Sequence, residues 1–148
     1  MASWAVLCAT AGVWPPDAQE IWSDSMKADA WKKLSTEALV EKYREASAKH
    51  GHLLDALKTR AANKEYDRVI AIDAELKGRG EKAQGGILTL LGDAEPGTRF
   101  WAATSALRFS SAEAERVLAE LARPPLSQIG LSAAMLLDAW KDGTYTPR

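Results

Sequence analysis

From Asp93 to Leu121 the chain reads DAEPGTRFWAATSALRFSSAEAERVLAEL, which spells out a helical hairpin. Pro96 suits a first helical turn, where a missing N–H removes no hydrogen bond. Asp93 and Glu95 lie just before it, near the positive end of the helix dipole. Phe100, Ala103 and Leu107 fall three and four apart and form one apolar stripe. Ser110 with Glu113 fits a capping box that opens a second helix, continued by Ala114, Val117, Leu118 and Leu121 and stopped by Pro124-Pro125. A shift of 31 residues repeats the pattern: Val69 falls on Phe100, Leu76 on Leu107, Ala83 on Ala114, Ile87 on Leu118 and Leu90 on Leu121. In the other direction Phe100 falls on Leu131, Ala103 on Ala134 and Ala106 on Leu137. A period in this range implies stacked helical hairpins, none able to bury its apolar face alone.

The 148 residues suffice for one domain with a substantial core. A formal net charge of −1 leaves no overall field to draw in nucleic acid or anionic lipid. One cysteine, Cys8, excludes an internal disulfide and a cysteine-based zinc site and is compatible with a reducing, cytoplasmic setting. The apolar run from Trp4 to Val13 is too short to span a bilayer, and no basic n-region precedes it.

Residues 1–25 differ from the rest, with Trp4, Trp14 and Trp22, the pair Pro15-Pro16, and acids without bases, and the extension is bounded at about 1–30. They read as an extension ahead of Met26 or as a tryptophan-rich arm docked on the body. The frayed extension is favoured, because termini lose order unless tied down. Ser35 is set to cap a helix. Leu39, Tyr43, Ala46, His50, Leu53 and Leu57 then form a helical seam through Gly51, with a break at Gly51 as the competing reading. Thr59 is set to cap a helix over 60–77, and a third helix follows over 81–91. In that third helix Gly85-Gly86 either weakens the helix or admits a close neighbour. A last helix spans about 127–141, with Gly143 as its C′ residue, and 144–148 is a tail.

The run from Asp93 to Leu107 resembles the first helix of a HEAT repeat. In such repeats the turn acid and the helix arginine pair between neighbours, so the resemblance implies that structural role for Asp93 and Arg99, and less strongly for Arg68. Residues 34–143 also resemble a family of small bacterial HEAT-like proteins, the domain-of-unknown-function family numbered two thousand and nineteen. The matching pieces are Leu34-Ser-Thr-Glu-Ala-Leu39, Ala62-Asn-Lys-Glu-Tyr-Asp67, Arg99-Phe-Trp-Ala-Ala103 and Trp140-Lys-Asp-Gly143. The resemblance implies a fold and no reaction. The expected architecture is all-α: a HEAT/ARM-like right-handed stack of helical hairpins over 31–143, with about six helices.

No catalytic, cofactor or metal-binding residue is expected. His50 and His52 point to opposite sides of a helix and cannot share a metal; His50, on the seam, reads as a core histidine with one hydrogen-bonded nitrogen. Cys8 has nothing beside it to lower its pKa. Lys77-Gly-Arg-Gly-Glu-Lys82 lacks the ending of a phosphate loop and reads as a helix C-terminus. Arg60, Lys64 and Arg68 form a basic stripe, but seven bases face five acids from Lys58 to Lys82, which is thin for a phosphate-binding surface. Trp101 projects off the inner stripe, to pack between repeats or to anchor a ligand face, and Trp140 is expected to plug the end of the stack. The expected function is non-enzymatic binding of another protein, with Arg60, Lys64, Arg68 and Trp101 as a candidate face. An immunity or antitoxin protein against a bacterial effector and a DNA-backbone binder are the alternatives.

Overall fold

Ser35 opens the helical body by accepting a hydrogen bond from the Ala38 N–H at 3.1 Å, which satisfies one of the orphan donors of a first turn. The computed structural model describes residues 30–124 and 127–147, and the expected extension at 1–30 therefore lies outside the described residues except for Ala30. The chain divides after Leu34 into two units. In the first, residues 30–32 are helical, and the turn closes through Lys33 N–H to Ala30 O and Leu34 N–H to Trp31 O.

The second unit holds α1 (Thr36–Asp55), α2 (Thr59–Lys77), α3 (Glu81–Leu90), α4 (Pro96–Ala106), α5 (Ser111–Leu121) and α6 (Gln128–Lys141). All regular structure among the described residues is helical. α1 runs unbroken through Gly51, and Leu39, Tyr43, Ala46 and His50 are its buried stripe. The seam stops short of its expected end. The helix closes at Asp55, and Leu57 turns into the left-handed region at φ 58° and is 73% exposed. Thr59 is the first residue of α2 and not its cap; the cap position is Lys58, which makes no side-chain capping bond.

The capping box at Ser110 does not form. The Ser110 N–H, which Glu113 would have to receive in such a box, donates instead to Ala106 O at 2.7 Å. Its backbone, at ψ 61°, also lies outside the extended region that caps use. Ser127 does cap α6, accepting from the Gly130 N–H at 3.0 Å, and Gly143 ends the helix at φ 80°.

α1 lies at the centre and packs against α2, α3, α4 and α6. It crosses α4 closely, through small residues. A methyl group on Gly51 would stand 2.9 Å from the Gly97 Cα, and one on Gly97 would stand 2.5 Å from the Ser47 carbonyl oxygen. Beside the crossing, the Thr98 hydroxyl donates to Arg44 O at 3.1 Å, and Ser47 and Thr98 are hydrogen-bonded at 3.0 Å. The 31-residue spacing carries the α2–α3 pair onto the α4–α5 pair with matching burial. Val69 and Phe100, Leu76 and Leu107, Ala83 and Ala114, and Ile87 and Leu118 are all core residues, while Leu90 is buried and its counterpart Leu121 only half-buried. On α6 it holds at one position and not at another: Leu137, the counterpart of Ala106, is buried, whereas Leu131, the counterpart of Phe100, is 45% exposed.

Candidate functional site

A cleft of about 370 Å³ opens between α1, α2, α4 and α6, and the turn residue Arg108 and the tail residue Tyr145 complete its lining. Its wall is aromatic. Phe100 and Trp101 are neighbours on α4, with ring centroids 5.6 Å apart and planes at 75°. Tyr66 of α2 stands edge-on to Trp101 at 5.3 Å and 65°, the tilted arrangement that aromatic quadrupoles prefer. Trp101 is 6% exposed, so it packs inside the body while its face borders the cleft.

His50 ties α1 to this wall. The Trp101 indole Nε1–H donates to His50 Nδ1 at 3.0 Å. An acceptor Nδ1 makes the neutral ring carry its hydrogen on Nε2. Burial holds the imidazole below the usual histidine range, and the nearby Glu65 carboxylate opposes that shift. This is the core histidine with one bonded nitrogen that the seam predicted. Among the described residues Nε2 has no hydrogen-bond partner.

A polar chain closes the other side. The Ser105 hydroxyl donates to Asp73 Oδ1 at 2.7 Å, and Arg108 donates to both carboxylate oxygens of Asp73, at 2.8 and 3.3 Å. The Tyr43 hydroxyl donates to the Trp101 carbonyl at 2.6 Å and lies 2.7 Å from Ser105 Oγ. With the Ser105 hydrogen given to Asp73, the single Tyr43 hydrogen is shared between those two acceptors. Burial, and then the Asp73 charge, push the Tyr43 phenol far above the usual tyrosine range, so it stays neutral. Among the described residues, Asp73 and Arg108 are the only charged side chains lining the cleft, and they neutralise each other.

Of the basic stripe, Arg68 is engaged by an acid on its own helix, Glu65, with contacts of 2.8 and 2.9 Å, and Lys49 of α1 lies 3.3 Å from the same carboxylate. Glu65 is 4% exposed, and its two cationic partners balance it there. Arg60 and Lys64 are exposed on α2. Asp93 and Arg99 are not paired: Asp93 accepts the Glu95 N–H at 3.0 Å in a local turn, and Arg99 Nε is buried without a partner. Trp140 is half-buried and donates to Glu115 of α5 at 2.6 Å. Sequence reasoning missed Asp73 and Arg108, which lie 35 residues apart and share no local motif. No group of three or more His, Cys, Asp or Glu among the described residues is placed to hold a metal ion. No helix among them is long and apolar enough to cross a membrane.

The body is thus an all-α protein with an aromatic cleft. The family described as Domain of unknown function (DUF2019) matches residues 37–141, and the chain belongs to that family. The chain is similar to the crystal structure of the protein RPA1889 from Rhodopseudomonas palustris CGA009, with 22% identity and a TM-score of 0.70. That match covers 79% of this chain and 97% of the other, a likeness of fold. No curated protein matches the chain.

Proposed function

We propose that this protein is a non-enzymatic, HEAT-like module that binds another protein through the outer face of α6. The observation that carries the reading is the exposure of Leu131 and Met135, 45% and 65%, one turn apart on α6. Long apolar side chains left out together mark interaction surfaces, and methionine adapts readily to a partner. In a stacked array the terminal repeat carries a polar outer face when nothing covers it. Here the 31-residue spacing reaches α6, yet the position equivalent to buried Phe100 is an exposed leucine. The HEAT-like reading rests on the matched burial of α2–α3 and α4–α5. A cytoplasmic setting belongs to the same proposal and rests on a single cysteine in 148 residues.

The test is comparative capture from the source cell with wild-type protein and with the double variant Leu131→Glu, Met135→Glu. Both sites are exposed, so the variant should melt within about 0.5 kcal/mol of wild type, as surface changes do. The expected result is a defined protein retained by wild type and lost by the variant. Equal retention by both would remove α6 as the binding face.

A further inference from the structure

We propose that the cleft beneath Trp101 is a binding site for an uncharged aromatic small molecule that carries a hydrogen-bond acceptor. The site is separate from the exposed Leu131 and Met135, and the inference stands or falls independently of a protein partner.

Size comes first. About 370 Å³ lies at the lower end of small-molecule sites and suits a single substituted ring. Shape follows from the walls: Trp101 and Tyr66 meet at 65°, Phe100 and Trp101 at 75°, so ring edges and faces converge on the same space. A flat ring completes such an edge-to-face cluster better than an aliphatic chain does.

Charge then narrows the class. The Asp73 and Arg108 side chains are each 14% exposed and hydrogen-bonded to one another, so neither is free to neutralise a ligand ion. A charged guest would leave water without gaining a counter-ion. The hydrogen-bond inventory supplies the last feature. His50 is 6% exposed and spends Nδ1 on Trp101, so its Nε2–H is a donor without a protein acceptor among the described residues. Thr104 and Ser132 spend their hydroxyl hydrogens on the carbonyls of Phe100 and Gln128, at 2.8 and 3.0 Å, and offer only lone pairs. At the cleft, then, His50 offers a donor and Thr104 and Ser132 offer acceptors, with the exposed amide of Asn63 at the edge. A ring bearing a carbonyl, with an N–H beside it, answers all three.

The experiment is a nuclear magnetic resonance titration of the full chain, following the Trp101 indole N–H and the His50 ring nitrogens. The probes are benzamide, toluene, benzoate and benzylamine. Benzamide should shift both signals saturably, and benzoate and benzylamine should bind at least about tenfold more weakly because of charge desolvation. Ser132→Trp, which obstructs the cleft from its rim without touching the core, should abolish the shifts. His50→Phe should reduce benzamide to the level of toluene. Absence of saturable shifts with benzamide would overturn the proposal. So would benzoate binding as tightly as benzamide, or benzamide shifts that persist in Ser132→Trp.

Discussion

At His50 one hydrogen bond fixes both a tautomer and a charge state. Its Nδ1 accepts from Trp101, and a proton added there would set two donors face to face. Because burial lowers the folded-state pKa below the unfolded value of about 6.5, the unfolded chain takes up the proton first as pH falls. The stabilisation is therefore complete above about pH 6.5, declines as pH drops toward the folded-state value, and is then lost. Thermal melts should show a falling Tm on acidification in the window between about pH 6.5 and 5, before carboxylates titrate. His50→Phe should flatten that window. It should also lower stability at neutral pH by about 1–3 kcal/mol, the cost of a buried indole N–H without an acceptor. Arg68 supplies a second residue-scale case. Arg68→Ala leaves the buried Glu65 with only Lys49, and denaturation should register a loss of about 1–3 kcal/mol for the charge-assisted bonds removed. The analogous exposed pair Lys42–Glu45 should contribute within about 1 kcal/mol.

The elements were largely legible in the sequence, and the reason is chemical. Ser35 and Ser127 are caps with no competing use for their hydroxyls, and Pro96 and Gly143 mark boundaries through their backbones alone. Ser110 misled because the end of the preceding helix, where its N–H bonds to Ala106 O, decides whether a capping box can close. Leu57 misled because periodicity says nothing of where a helix stops. Gly51 had two readings, and the crossing with Gly97 explains why glycine stands in mid-helix. Gly51→Ala or Gly97→Ala would gain up to about 1 kcal/mol of helix propensity. Each would also drive a methyl group against neighbouring backbone, an overpacking cost of about 1–3 kcal/mol. The net effect in urea denaturation should be destabilising for both, opposite in sign to Gly85→Ala on α3, where a methyl group meets nothing within 4 Å. The cleft itself was not legible. Trp101 and His50 were each singled out, but their meeting depends on the α1–α4 crossing, and Asp73–Arg108 depends on how α2 lies beside the end of α4.

For the whole molecule, the matched burial of the two hairpins predicts matched energetics. Leu76→Ala and Leu107→Ala, 1% and 3% exposed, should each cost about 2–5 kcal/mol, whereas Leu131→Ala should stay within about 0.5 kcal/mol. The central place of α1 has a further effect. An array of equal repeats loses its outermost units first, because each rests only on the next. Here four helices rest on one, so removing α1 strips support from all of them. Unfolding should accordingly be concerted. In native-state hydrogen exchange, the amides around the middle of α1 should open only with the whole chain, and those of α2 through α4 should follow the same denaturant dependence.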